Sequence, residues 1–135
     1  MRLITAMLAD SAQVQGGKLF VLGGGFDTIS AKKLPVIHRH LTVAMVAEID
    51  PDERHRDLEI ALRLIDEDGV DMGVEAKGKL RVGAPPNLPP GSSSIVPIVS
   101  PFHSIEFPDA KGYAFVVTFE DQELERIRFR VVRMG

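Results

Sequence analysis

The chain has 135 residues, a length that predicts one domain with its own apolar core. Its net charge of −3 argues against a nucleic-acid partner, and its 6% aromatic content argues against a surface on which bases or sugars stack. The absence of cysteine excludes disulfide bonds, a thiolate nucleophile and a cysteine-based zinc site.

The first predicted strand covers residues 3–9 and stops at Asp10. Its apolar run is shorter than the core of a secretory signal, and no longer apolar run follows it, so we expect a soluble, cytoplasmic protein with no membrane partner. The next predicted elements are a turn at Gly16-Gly17, a strand at 18–22, an interruption at Gly23–Gly25, a strand at 26–29, a connector at 32–37 and a strand at 41–49.

Apolar and polar residues alternate most clearly in the C-terminal half of the chain. Along residues 70–82 the apolar side chains fall on one face of an extended chain and the charges on the other, whereas a helix would scatter the charges around its axis. Residues 57–65 alternate too, although Glu59 and Arg63 also have the i,i+4 spacing of a helix. We favour a strand because residues 66–69 then form a hairpin turn between the two segments.

Residues 83–94 include four prolines and are rich in glycine and serine, which predicts a mobile loop within the domain. Pro97 and Pro101 confine the strand predicted at 95–107 to a sheet edge, or force a bulge in it, because proline cannot donate to a neighbouring strand. The chain is then expected to turn at 108–112 and to form strands at 113–120 and 124–133.

These elements predict an all-β fold, a single antiparallel, immunoglobulin-like β-sandwich of about seven to nine strands that covers residues 1–135. Successive antiparallel strands reverse direction, so their loops should gather at two ends. The loops at 50–56, 83–94 and 120–123 are expected at one end, and those at 66–69 and 108–112 at the other.

Six acidic residues are expected to share the first of these ends: Asp50, Asp52, Glu53, Glu120, Asp121 and Glu123. Loop carboxylates that converge on a β-sandwich can bind calcium. Aspartate and glutamate are also ordinary turn residues that need no metal. Because the spacing matches no fixed calcium loop, solubilising turns are the favoured interpretation and a divalent-metal site is the alternative.

Histidines provide a second candidate metal site. His38 and His40 stand two residues apart, a spacing that places both on one face of a strand and can chelate a transition metal. No third ligand is evident in the sequence, so solvent-facing histidines are the favoured interpretation. His103 lies beside apolar residues and is predicted to be hydrogen-bonded and partly buried.

The triplet Gly23–Gly25 resembles a phosphate-binding loop only in composition. No Gly-Lys-Ser or Gly-Lys-Thr follows it, and the next residues, 26–29, are predicted to be extended rather than helical. A bulge or bend that only glycine tolerates is therefore the favoured interpretation.

Arg126, Arg128 and Arg130 alternate with apolar residues and so line one face of a strand. Three guanidinium groups in a row could bind an anionic ligand or an acidic partner. The favoured interpretation is a charged outer face that prevents an edge strand from pairing with other molecules.

Catalytic motifs are absent from the sequence. It contains no Gly-x-Ser-x-Gly and no His-Glu-x-x-His, and no pair of carboxylates has the contrasting surroundings that acid–base catalysis needs. We therefore expect a protein that is not an enzyme and has no cofactor.

Two stretches of the sequence resemble a known family. The first reads Leu8-Ala9-Asp10-x-Ala12-Gln13-x-x-x-Gly17-Lys18-Leu19-x-x-Leu22-Gly23-Gly24-Gly25-x-Asp27, and the second comprises Pro101-Phe102, Gly112-Tyr113-x-Phe115-x-Val117 and Phe129-Arg130-Val131. Together they resemble small bacterial single-domain proteins of unknown function, and the closing pattern is also similar to the last hairpin of immunoglobulin-like sandwiches. The resemblance implies one β domain and identifies no site residues.

The sequence thus predicts a non-enzymatic module that acts by protein contact, either with other copies of itself in a homo-oligomer or with another protein. The alternative is a domain that binds a divalent metal or small ligand through the acidic loops or through His38 and His40. A hydrolase is a third, less favoured hypothesis.

Overall fold

A computed structural model describes residues 1–83, 87–89 and 91–134 of the protein. Nine strands form in this part of the chain: β1 (Arg2–Gln15), β2 (Lys18–Phe26), β3 (Thr28–Ala31), β4 (Val36–Ile49), β5 (Leu58–Asp66), β6 (Asp71–Leu80), β7 (Ser94–Phe107), β8 (Gly112–Phe119) and β9 (Gln122–Arg133). A single 3-10 turn, Pro51–Glu53, follows β4. No helix among the described residues is long and apolar enough to cross a membrane.

The strands form two sheets that pack face to face. Sheet A has the order β2-β1-β4-β7, and sheet B has the order β3-β9-β8-β5-β6. All neighbours run antiparallel except β3, which pairs with β9 in parallel. The predicted all-β sandwich is therefore confirmed, with one parallel pair that was not expected. The immunoglobulin-like topology stays a prediction.

Alternate residues of both sheets fill the space between them. Phe115 of β8 is fully buried, and its ring lies 5.0 Å from that of Phe102 in β7, so the two sheets meet through aromatic contacts. On β6, Val74 is half-buried whereas Lys77 is exposed, as the alternation predicts. Burial of a side chain as large as phenylalanine contributes about 2–3 kcal/mol, so these rings dominate the packing of the core.

The strands are longer or shorter than predicted where the pairing partner, rather than the local pattern, determines their ends. The segment predicted at 57–65 is strand β5, which pairs with both β6 and β8, so the helical alternative is wrong.

The glycine triplet lies within β2, where the register shifts so that Leu8 faces Phe26 and Ala9 faces Gly24. Gly25 is the extra residue, with φ of +82°, so the predicted bulge is confirmed.

Strand β7 lies at the edge of sheet A, as Pro97 and Pro101 predict. Strand β9, by contrast, lies between β3 and β8, so the prediction that its arginines protect an edge is wrong. The short parallel strand β3, with four residues, occupies that edge instead.

The loops gather at two ends in the way that the strand order predicts. At one end Arg56 Nη1 lies 3.5 Å from Glu120 Oε1, and Arg54 Nη2 lies 3.0 Å from Ser94 Oγ. At the other end Lys111 Nζ lies 2.9 Å from Asp66 Oδ2. The predicted mobile loop at 83–94 falls partly outside the described residues, which exclude 84–86 and 90.

Asp66 closes the turn between β5 and β6. Its Oδ1 accepts the backbone N–H groups of Asp68 and Val70, each at 2.9 Å, while Oδ2 accepts from Lys111. The bonds from Lys111 and from Val70 hold the pKa of the Asp66 carboxyl below its ordinary value, although burial opposes them. The ionised form of this carboxyl therefore stabilises the fold.

Replacing Asp66 with asparagine is expected to lower the Tm by a few degrees at neutral pH. A carboxyl whose pKa is lower in the folded than in the unfolded state stabilises the fold at pH values above its unfolded pKa. This stabilisation is lost as the pH falls through the folded pKa. The Tm difference between Asp66→Asn and wild type should therefore shrink below about pH 4. Thermal melts across this pH range test it, with the exposed Asp52→Asn as control; a difference that does not depend on pH would contradict it.

Candidate functional site

Three of the predicted acidic residues do converge. One ligand oxygen from each of Asp50, Asp52 and Glu53 lies within 4.8 Å of the others, because the 3-10 turn Pro51–Glu53 brings them together. Asp50 and Asp52 are exposed, whereas Glu53 is only 7% exposed.

Glu53 already has protein donors for both of its oxygens. Its Oε1 accepts the N–H of Asp50 at 2.9 Å, and its Oε2 lies 2.5 Å from the Met1 amino nitrogen. Burial raises the pKa of the Glu53 carboxyl, but the hydrogen bonds from Met1 and Asp50 outweigh it and hold the pKa below its ordinary value. The cluster is thus accounted for by the capping of a turn, without a metal ion.

The other acidic residues do not join this group. Glu120 and Asp121 form the left-handed turn between β8 and β9, with φ of 49° and 66°, and Glu120 reaches Arg56. Asp121 lines the outer surface of sheet B beside Lys77. Glu123 binds Arg126 through two bonds of 2.9 and 3.0 Å, and these lower the pKa of its carboxyl. Among the described residues, the six acidic side chains therefore do not form one cluster, although Glu120 lies at the same end as Arg56.

The histidines pair differently from the prediction. His40 of β4 stands directly opposite His103 of β7, and their Nδ1 atoms are 3.2 Å apart. Both side chains are exposed, and their ring planes are perpendicular with centroids 5.3 Å apart. The prediction that His103 is partly buried is therefore wrong, whereas its Nδ1 lies within hydrogen-bonding distance of the His40 Nδ1.

His38 lies on the other face of β4. It stands opposite Ile105, which is 3% exposed and belongs to the core, and residues opposite each other in an antiparallel pair share a face. The change of face coincides with Ser104, whose φ of 56° interrupts the alternation of β7 between Phe102 and Ile105. His38 and His40 therefore have different partners across the β4–β7 pair.

His40 and His103 border an open cleft of about 600 Å³. The cleft forms because β1 stops pairing with β4 at Ala9 and Thr42, while the pairing of β4 with β7 continues beyond that point. His38, Asp10 of β1 and Arg39 of β4 also line it, so charges of both signs border the cleft.

The outer face of sheet A is nearly free of charge, and we call it the apolar face. The residues that point outward are Lys18, Phe20, Leu22 and Gly24 of β2, Thr5, Met7, Ala9, Ser11, Gln13 and Gln15 of β1, Thr42, Ala44 and Val46 of β4, and Ile95, Pro97, Val99 and Pro101 of β7, so that Lys18 adds one charge at the far end of β2. Arg2 and Glu48 border one end, where they form an ion pair of 2.8 Å. Leu22 is 72% exposed and Phe20 is 49% exposed, whereas Ala9 and Ala44 near the centre are already shielded by larger neighbours.

The outer face of sheet B is charged, in contrast. Arg126 and Arg63 both stand opposite Val116, which is fully buried with Ile65 and Ala114 in a small cluster on this side of the sheet. Aliphatic stems of arginine can cover such a cluster while their guanidinium groups stay in water. The arginine stripe therefore shields part of an interior strand, a role that the sequence prediction missed.

Comparison with known proteins identifies the family. The profile of a family of unknown function (DUF6941) matches residues 4–132. The chain belongs to this family. Its membership confirms the resemblance seen in the sequence and, like that resemblance, brings no activity with it.

No curated protein matches the chain. Among solved structures, that of a β-glucuronidase from glycoside hydrolase family 2 matches 74% of the chain at 10% sequence identity, with a TM-score of 0.41. The chain spans only 11% of the length of that enzyme. No activity follows for the DUF6941 chain at this level of similarity.

Proposed function

We propose that this chain is a non-enzymatic interaction module that binds a second copy of itself through the apolar face. The observation that carries the proposal is the contrast between the two outer faces. Charged side chains cover much of sheet B, whereas uncharged residues extend across all four strands of sheet A. An exposed face of this kind on an otherwise charged domain is typical of an interaction site.

The apolar face is large enough for a dimer. Strands β1, β4 and β7 lie side by side, about 4.8 Å apart, over about 26 Å between His40 and Glu48, and β1 and β2 continue together beyond Ala9 for about 20 Å, which gives a face of roughly 550 Å² in total. Two such faces in contact bury roughly 1,000 Å², which is the size at which a specific interface becomes plausible. The exposed rims at Leu22 and Ile95, at 72% and 54% exposure, would contribute further area.

A second copy suits this face better than a charged partner does. Arg2 and Glu48 at its border pair with each other, so in the described part of the chain the face offers little charge to attract an acidic or basic protein. Two identical flat apolar surfaces complement each other about a twofold axis, as in isologous dimers. Sheets pack face to face in this way inside the domain itself.

Light scattering coupled to size-exclusion chromatography tests the proposal. We expect wild-type protein to have twice the 14.8 kDa mass of one chain at high concentration. Val99→Lys, which places a charge beside Ala44 on the edge strand of the apolar face, should weaken dimerisation at least about tenfold. Thr118→Lys adds the same charge to a similarly half-buried position on sheet B and is the matched control.

Two results would overturn the proposal: wild-type protein that stays monomeric at the highest soluble concentration, or equal losses of dimer in Val99→Lys and Thr118→Lys. Circular dichroism of each variant separates a lost interface from a lost fold.

A further inference from the structure

We propose that His40 and His103 together chelate one divalent transition-metal ion, Zn²⁺, Ni²⁺ or Cu²⁺, at the mouth of the cleft between β1 and β4. Water would occupy the remaining coordination positions. This site differs from the one that the sequence predicts, since it uses His103 in place of His38. The pair lies beyond Thr42 and Pro101 at one end of the apolar face, and it needs no ligand from a second copy.

The separation of the two nitrogens matches that of two ligands on one ion. Nitrogen ligands that each lie about 2.0–2.1 Å from a tetrahedral ion are roughly 3.3–3.4 Å apart. The two Nδ1 atoms are 3.2 Å apart, close to that value. The planes of the two rings are perpendicular.

The fold holds the two histidines together before any ion arrives. They are 63 residues apart in the chain, but the continuous pairing of β4 with β7 places them directly opposite each other. A chelating pair on two paired strands loses little conformational freedom on binding. Both rings are exposed, so an ion can reach them from solvent.

The donor set determines the kind of ion. Imidazole nitrogen suits zinc, copper and nickel, whereas calcium and magnesium prefer several oxygen ligands. Among the described residues, Asp50, Asp52 and Glu53 form the one group of three ligand atoms within 4.8 Å of one another, so the histidine pair has no third protein ligand at that distance. Binding is therefore expected to be exchangeable rather than structural.

A direct hydrogen bond between the rings is the competing explanation. One neutral imidazole can donate its Nδ1–H to the Nδ1 of the other, and the same 3.2 Å separation would result. Only the metal site predicts uptake of an ion.

Isothermal titration of the untagged full-length chain with NiCl₂ and with ZnCl₂ tests the proposal, and MgCl₂ serves as the negative probe. We expect one ion per chain, with at least about a tenfold loss of affinity in His40→Ala and in His103→Ala. His38→Gln and His55→Asn should bind as wild type does; asparagine suits the left-handed φ of 62° at position 55. Thermal melts without metal confirm that each variant folds.

Electron paramagnetic resonance of the Cu²⁺-loaded chain provides a second readout. We expect hyperfine structure from two imidazole nitrogens in wild type and from one in either alanine variant. Absence of nickel and zinc binding, an equal loss in His38→Gln, or half an ion per chain would each overturn the proposal. Titration of Val99→Lys should match wild type, which distinguishes failure of this site from failure of the proposed dimer.

Discussion

Replacing Phe115 with alanine is expected to lower the free energy of unfolding by about 3–5 kcal/mol, because it removes a large ring from a packed core and leaves a cavity. Phe115 is fully buried, and its ring lies 5.0 Å from Phe102 and 5.8 Å from Phe129. The ring therefore joins β7 of sheet A to β8 and β9 of sheet B. Such a loss is a large fraction of the stability of an ordinary domain.

Urea denaturation in dilute solution measures this effect. Phe20→Ala removes the same atoms from a ring that is 49% exposed, so it is the matched control and should cost less than about 1 kcal/mol. Equal losses in the two variants, or a loss below about 1 kcal/mol for Phe115→Ala, would show that the sheets do not pack through this ring.

Replacing Tyr113 with phenylalanine is expected to cost about 1–2 kcal/mol. Tyr113 is the second residue of β8, just after the chain crosses from sheet A to sheet B, and its hydroxyl donates to the carbonyl oxygen of Asp109 at 2.8 Å. Burial raises the pKa of this hydroxyl, so it stays protonated and keeps donating at neutral pH. A tyrosine that ties its own strand to the preceding corner is a recurring device of Greek-key sandwiches.

The phenylalanine variant isolates the hydroxyl, since the ring keeps its contacts with Phe107 and Phe129. Urea denaturation gives the loss, and hydrogen exchange should show faster exchange of backbone amides in the corner at 108–111. Unchanged stability together with unchanged exchange would mean that the Tyr113 bond does not hold the corner.

The alternation of apolar and polar residues predicted the fold because every second side chain of a strand points into the core. Phe115 and Val117 point into the core, and Lys77 points into water, as the pattern indicates. The edge position of β7 was also predictable, since a proline cannot donate a backbone hydrogen bond at any register.

The histidine site could not be predicted, because it depends on register between distant strands. Nothing near His40 in the sequence indicates that residue 103 lies opposite it. The surroundings of His38 depend in turn on Ser104, whose positive φ interrupts the alternation of side chains along β7. The residue at that position is neither glycine nor proline, so the sequence does not indicate the interruption.

The apolar face was missed for a different reason. Residues 41–47 of β4 are uncharged on both sides, so this strand carries no charge pattern that separates an inner from an outer face. The general rule that charges remain outside holds for sheet B and fails for sheet A. An outward row of threonine, alanine and valine at 42, 44 and 46 was the available signal.

The four edge strands of the two sheets affect how the protein associates at high concentration. Prolines interrupt β7, a glycine bulge distorts β2, β3 has only four residues, and β6 carries Lys77 and Lys79. Each of these features discourages the addition of a strand from another molecule. Crowded solutions of this protein should therefore resist growth into fibres, and any assembly it forms should stop at a particle of finite size.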